Sequence, residues 1–141
     1  MKKIINRGIV LLVVLATVLS FASCKDSSAT GLWQNATYTE NQTFGDGAKT
    51  CVVEVKAEEK SVTFTIKTDK KTVGEALLEH ELIAGDEGDY GLYVKVVNGI
   101  TADYDVDASY WAFNIDGEYA LTGVDQTEIK EGAVYQLVYT K

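Results

Sequence analysis

Cys51-Val52-Val53-Glu54-Val55 and Ser61-Val62-Thr63-Phe64-Thr65-Ile66 decide the fold. In each run apolar and polar residues alternate, and β-branched side chains dominate, the pattern of a strand with one buried face. Ala57-Glu58-Glu59-Lys60 between them is short and polar, so the two runs close into a β-hairpin. The period then changes. Val73, Ala76, Leu77 and His80 fall at helical spacing, with Thr72 in front and Glu75 three residues after it. That is a capping box, in which each side chain satisfies a backbone donor that the helix start leaves free. Gly85 is the expected end of this helix.

Strands return afterwards at Leu92–Val97, Tyr110–Ile115 and Ala133–Tyr139, with Asn98-Gly99 and Asp116-Gly117 as turn dipeptides. Two strands, one helix and further strands predict an α+β domain in which a β-grasp-like mixed sheet packs on one helix, over residues 49–141. The chain lacks proline, so its turns depend on Gly, Asn and Asp. Upstream, Ser27–Ala48 is rich in Ser, Thr, Asn and Gly without an apolar period. Residues 24–48 therefore read as a flexible tether.

At the amino end Lys2, Lys3 and Arg7 precede an apolar run from Gly8 to Ala22. This is the layout of an export signal, and the run is shorter than the roughly 20 residues that a membrane-spanning helix needs. Phe21-Ala22-Ser23-Cys24 resembles the bacterial lipobox. The resemblance implies a signal peptide over residues 1–23, a lipid such as palmitate on Cys24, and an extracytoplasmic domain anchored to a membrane or the cell surface. An ordinary secretory signal cut near Ala22 is the alternative.

Charge narrows the partners. The net charge is −8, and loss of Lys2, Lys3 and Arg7 with the signal takes it to −11. Such a surface repels phosphate backbones and anionic headgroups, which argues against nucleic acid and leaves the lipid as the link to the membrane. With Cys24 acylated, Cys51 has no partner for a disulfide and reads as a small apolar strand residue.

Catalytic chemistry finds little support. His80 is the one histidine, and no nucleophile motif accompanies it, so an enzyme is not expected. Its bland reading is a partly exposed helix residue, its sharper one a metal ligand. Asp103-Tyr104-Asp105-Val106-Asp107 has carboxylates at alternate positions, as a calcium loop does, but Ala108 stands where the loop needs glycine and Asn114 where it needs glutamate. A solvated acidic loop is the expectation, with neither a metal nor a covalent cofactor.

Gly91-Leu92-Tyr93-Val94-Lys95-Val96-Val97-Asn98-Gly99-Ile100 resembles a conserved run in the carboxy-terminal β-domain of transcobalamin and intrinsic factor. Tyr110-Trp111, reaching Gly123-Val124, and then Glu131-Gly132 before a closing aromatic strand, resemble further elements of that domain. Over about residues 50–141 the chain is similar to the bacterial transcobalamin-like domains often found in surface lipoproteins. The resemblance implies a corrinoid ligand, cobalamin or a relative, on a face formed by Tyr90, Gly91, Leu92, Tyr93 and Val94 together with Trp111, Ala112, Phe113 and Ala120. A corrin is a broad, largely apolar disc with amide edges, which suits aromatic faces and a few polar groups. The competing reading is that these aromatics pack the core and that the domain is a protein or polymer interaction module keeping only the fold. In the vertebrate relatives a large helical domain supplies the other half of the cleft. The corrinoid reading therefore implies weak binding and transfer, or an uptake-system or surface protein as the second wall.

Overall fold

A computed structural model describes residues 31–141. The expected signal peptide, Cys24 and the first part of the tether lie outside the described residues.

The first hairpin forms as the alternation predicts. Strand β2 (Lys49–Ala57) pairs antiparallel with β3 (Lys60–Thr68), with Cys51 opposite Ile66, Val53 opposite Phe64 and Val55 opposite Val62. These side chains share one buried face and form the centre of the core. Burying each large apolar side chain stabilises the fold by about 1.5–3 kcal/mol. Strand β9 (Val134–Thr140) lies parallel to β2 on its other side and adds Tyr135 and Leu137 to the same face. Strand β7 (Tyr110–Ile115) follows antiparallel to β9, with Phe113 opposite Leu137 and Trp111 opposite Tyr139. A parallel neighbour requires a long crossover, and here everything between β2 and β9 supplies it.

Helix α1 (Val73–Glu79) begins where the capping box puts it. The Thr72 hydroxyl accepts the Glu75 N–H at 3.2 Å, and the Glu75 carboxylate lies 3.0 Å from that hydroxyl. Val73, Ala76 and Leu77 are buried against the sheet. The helix ends earlier than the Gly85 expectation, for a specific reason. Glu81 takes φ +56°, its N–H reaches the Leu78 carbonyl at 3.1 Å, and the Leu82 N–H reaches the Leu77 carbonyl at 2.9 Å. That pair of bonds is a Schellman stop, with glutamate in the left-handed position usually held by glycine and buried Leu82 as its apolar contact.

Gly85 instead sits in strand β4 (Ile83–Gly88), at a bulge where a Cβ would come within 1.9 Å of the Tyr93 carbonyl oxygen. Strands β4, β5 (Gly91–Val97) and β6 (Ile100–Thr101) form a separate three-stranded antiparallel sheet. The α+β class therefore stands, built mostly of strands in two sheets. One sheet on one helix is not the whole arrangement.

The tether expectation is corrected from residue 31 onward. Gly31–Asn35 form a 3-10 turn, and Trp33 is only 3% exposed, its Nε1 donating to the Ala57 carbonyl at 2.9 Å. Strand β1 (Gln42–Gly45) adds parallel to β3, and Tyr38 and Phe44 pack edge-on against Phe64 at 5.8 and 5.7 Å. Three well-spaced aromatics are enough to fasten this polar segment to the core. With β8 (Glu118–Tyr119), the large sheet runs β1-β3-β2-β9-β7-β8.

Asn98 joins this first segment to the small sheet. It lies in the left-handed region at φ 52°, as an Asn-Gly turn requires, and is 1% exposed. Its side chain accepts the Tyr38 N–H at 2.9 Å and donates to the Tyr38 carbonyl at 2.8 Å. Its carbonyl accepts the Thr37 N–H at 2.9 Å, and its own N–H donates to the Leu82 carbonyl at 2.8 Å. The Val-Asn-Gly run thus serves as a clamp as well as a turn.

Candidate ligand groove

The groove forms where the small sheet meets the far edge of the large one. Strand β5 opens at Gly91, with φ +100°, where a Cβ would come within 2.8 Å of the Asp125 carboxylate. Only glycine meets both conditions without strain. Asp125 lies on a 3-10 turn, Val124–Gln126, and its Oδ2 accepts the Leu92 N–H at 3.1 Å. Its Oδ1 is buried without a hydrogen-bond partner. One carboxylate thereby fixes the start of β5 against the turn after β8.

Alternation along β7 turns Trp111 and Phe113 to the same side. Trp111 is 7% exposed, donates from Nε1 to the Lys95 carbonyl at 3.2 Å and meets the Tyr139 ring edge-on at 5.6 Å. Phe113 stacks on Tyr135 at 6.1 Å. Asp116 and Gly117, at φ 51° and 87°, turn the chain into β8, and the Ala120 N–H returns to the Phe113 carbonyl at 2.9 Å. Between these elements lies an open groove of about 500 Å³. Tyr90 and Tyr93 form one wall, Trp111 and Phe113 another, and Tyr119 to Gly123 the third. A smaller hollow of about 310 Å³ lies at the β4–β5 tip, lined by residues 88–93.

The structure brings together most of the residues singled out in the sequence. Tyr90, Tyr93, Trp111, Phe113 and Ala120 line the groove, and Gly91 and Leu92 line the adjoining hollow. Val94 and Ala112 line neither: Val94 is buried in the core, and Ala112 alternates away from Trp111 and Phe113. Trp111 and Phe113 also belong to the core cluster, so they serve packing and groove together. Gly123, of the Gly-Val pair, lines it too, and Tyr119, Leu121 and Thr122 complete the lining and were not anticipated. These three sit between Tyr-Trp and Gly-Val, and only the turn at Asp116-Gly117, which folds this stretch back on β7, brings them in.

The groove carries the most exposed tyrosines and the most exposed leucine among the described residues. Tyr90 is 93% exposed, Tyr119 71% and Leu121 100%. No residue lining the groove is charged, but the segment that contributes its walls is acidic. From Ile83 to Thr127 the acids are Asp86, Glu87, Asp89, Asp103, Asp105, Asp107, Asp116, Glu118 and Asp125, against a single base, Lys95. That lysine is already engaged: its Nζ lies 2.8 Å from Asp86, 3.9 Å from Asp103 and 5.7 Å from the Tyr93 ring centroid. The hydrogen bond to Asp86 and the charge of Asp103 raise its pKa above the ordinary lysine value.

His80 is remote from this face. It caps α1, stacks on Phe44 at 5.3 Å, and its Nε2 lies 3.3 Å from Glu79 Oε1 without making a hydrogen bond. The acidic run is partly helical, with helix α2 at Tyr104–Asp107. Asp103 caps that helix by accepting the Asp105 N–H, and Asp107 accepts from the Ser109 N–H and hydroxyl. The hydroxyl bond is the main reason that the Asp107 pKa is lowered. Among the described residues no group of three His, Cys, Asp or Glu side chains is placed to hold a metal ion.

No curated protein matches this chain in sequence. A solved structure of a candidate metal-binding protein from Ruminococcus gnavus ATCC 29149 is 32% identical, covering 67% of this chain and 98% of its own, with a TM-score of 0.63. Haptocorrin in complex with Cbi aligns at 17% identity over 66% of this chain and 25% of its own, with a TM-score of 0.47. A family model described as a domain of unknown function, DUF4430, matches residues 70–141. That span runs from the residues just before α1 to the end of β9 and includes every residue lining the groove, and by it the chain belongs to the DUF4430 family.

Proposed function

We infer that this chain is a ligand-binding module whose aromatic groove takes a corrinoid, displayed outside the cytoplasm and held at a membrane or cell surface by a lipid on Cys24. One observation carries the ligand reading. The two stretches that resemble the transcobalamin β-domain, Gly91 to Ile100 and the one from Tyr110, belong to strands of different sheets and line one groove together. Aromatic faces for the disc are the recognition chemistry that such a ligand needs. The groove is open, so it covers one face of the ring. A partner in an uptake system supplies the other wall, and ligand is held briefly and passed on.

Calorimetric titration of the full chain in detergent with cobalamin tests this. Saturable binding is expected, with Tyr90→Ala and Leu121→Ala each weakening it by about tenfold while leaving the melting temperature within about 2 °C, because fully exposed side chains contribute little to stability. Trp111→Phe keeps most of the apolar wall and is expected to retain the fold with weaker binding. Absence of saturable binding, or affinities unmoved by Tyr90→Ala and Leu121→Ala, overturns the reading in favour of an interaction module. The exposure of Leu121 and Tyr90 is the observation that favours that second reading, since exposed apolar patches also mark protein contacts.

A further inference from the structure

We propose that Lys95 is a positioning residue of the groove: its ammonium, held by Asp86 and Asp103, fixes the Tyr93 ring in the pose that a bound corrinoid meets. The proposal rests on the corrinoid reading and adds the residue that sets one of its walls.

Lys95 and Tyr93 stand two residues apart on β5, so their side chains leave the strand on the same side. The Lys95 Nζ lies over the Tyr93 ring, 5.7 Å from its centroid, within the range of cation–π attraction. Asp86, opposite Tyr93 on β4, holds that Nζ at 2.8 Å, and Asp103, just beyond β6, lies 3.9 Å from it. Asp103 is itself tied down. Its N–H donates to the Ser109 hydroxyl at 3.1 Å, and its carboxylate caps α2. The backbone of Lys95 serves the neighbouring wall. Its carbonyl accepts Trp111 Nε1 at 3.2 Å and the Ala102 N–H at 2.8 Å. One residue therefore meets an aromatic of each sheet, Tyr93 through its side chain and Trp111 through its main chain, and both aromatics line the groove.

Tyr93 is the wall that needs such a hold. Trp111 packs on Tyr139 and Phe113 on Tyr135, whereas among the described residues no other ring packs against Tyr93, which is 41% exposed. An aromatic side chain left free to change rotamer must be ordered when ligand arrives, and that cost is subtracted from affinity. An ammonium fixed over the ring by two carboxylates meets the cost before the ligand arrives.

Dicyanocobinamide carries no net charge, so it separates this role from direct attraction between lysine and ligand. Lys95→Met keeps an unbranched stem and both backbone bonds while removing the charge. Titrated in the full chain in detergent, it is expected to bind dicyanocobinamide about threefold to fivefold more weakly than wild type at low ionic strength. The difference is expected to shrink toward nothing as salt screens the partly exposed ion pairs. Lys95→Arg is expected to restore binding, because a guanidinium also pairs with carboxylates and stacks on aromatic faces. Asp86→Asn, at an exposed carboxylate on the other strand, is expected to weaken binding in the same direction. Surface ion pairs contribute little to stability, so the fold is expected to survive all three changes. Equal affinity of wild type and Lys95→Met, a loss that does not change with salt, Lys95→Arg binding as weakly as Lys95→Met, or no effect of Asp86→Asn overturns the positioning role while the corrinoid reading survives. Failure of wild type to bind dicyanocobinamide overturns the corrinoid reading and this proposal with it.

Discussion

Replacing Asn98 tests the account of how the amino-terminal segment is fastened. Its side chain makes two hydrogen bonds to the Tyr38 backbone, at 2.9 and 2.8 Å, from a site 1% exposed to solvent. Asn98→Ala removes both and leaves a backbone donor and acceptor to find other partners, at about 1–3 kcal/mol each when they stay dry. Alanine at φ 52° adds about 1 kcal/mol of left-handed strain. The sum is about 3–7 kcal/mol, a large share of the roughly 5–15 kcal/mol that holds a domain of this size. At about 4 °C per kcal/mol the melting point falls by about 12–28 °C. Asn98→Asp sharpens the test because it preserves size and turn preference. It keeps an acceptor for the Tyr38 N–H but sets a second oxygen against the Tyr38 carbonyl. It is therefore expected to cost at least as much as Asn98→Ala at pH 7, and to regain part of the loss when acid protonates the new carboxylate and makes it a donor. Thermal and urea unfolding followed by circular dichroism give the stabilities, and hydrogen exchange at the Thr37 and Tyr38 amides localises the loss. An Asn98→Asp protein as stable as wild type at pH 7, or unchanged exchange at those amides, would refute the clamp.

Truncation after Glu131 removes β9 from its place between β2 and β7, with Tyr135 and Leu137 from the core, and is expected to abolish the cooperative melt. Survival of that melt would contradict the strand order. Burial raises the Cys51 thiol from its usual value of 9.0 to about 12, with the charge of Glu131 adding to the effect. A raised pKa stabilises the fold below the unfolded value and loses that contribution as pH climbs toward the folded one. Stability is thus expected to fall between pH 9.0 and about 12 more steeply in wild type than in Cys51→Ala, and the native thiol to resist alkylation until the chain unfolds; equal slopes, or ready labelling of native protein, would count against it. Cys24→Ser is expected to move the protein from the membrane fraction to the soluble one, since each buried acyl methylene holds the anchor by about 0.8 kcal/mol. Equal fractionation of the two would rule out the lipid anchor.

Much of the fold was legible because its signals are local. Alternation fixed the β2–β3 hairpin and β7, and the capping box fixed the first residue of α1. The stop of that helix was hidden because Glu81 occupies the position where glycine would have announced it. Strand β4 was hidden because Ala84-Gly85-Asp86-Glu87-Gly88 has neither alternation nor β-branched residues, and it forms a strand through its pairing with β5. The order of residues 31–48 was hidden for a related reason: Trp33, Tyr38 and Phe44 are too widely spaced to give a period, and what holds them comes from Ala57, Phe64 and Asn98, at distances in sequence that no window spans. The groove was half legible. Motif resemblance led to Tyr90, Tyr93, Trp111, Phe113 and Ala120, whereas Leu121 and Thr122 enter only through the chain reversal after β7.

The parallel pairing of β2 with β9 also sets the order in which the molecule can form. Val52 lies beside Val134, far along the chain, so the middle of the large sheet is completed by a strand synthesised long after β2. A nascent chain can close the local β2–β3 hairpin early. The apolar edge of β2 then waits for β9, and pairing at such long range is slow because the loop must close before any contact rewards it. Until then that edge is open to other chains. For this domain the vulnerable interval is the time between the emergence of Val55 and that of Leu137, and chaperone dependence would be decided within it.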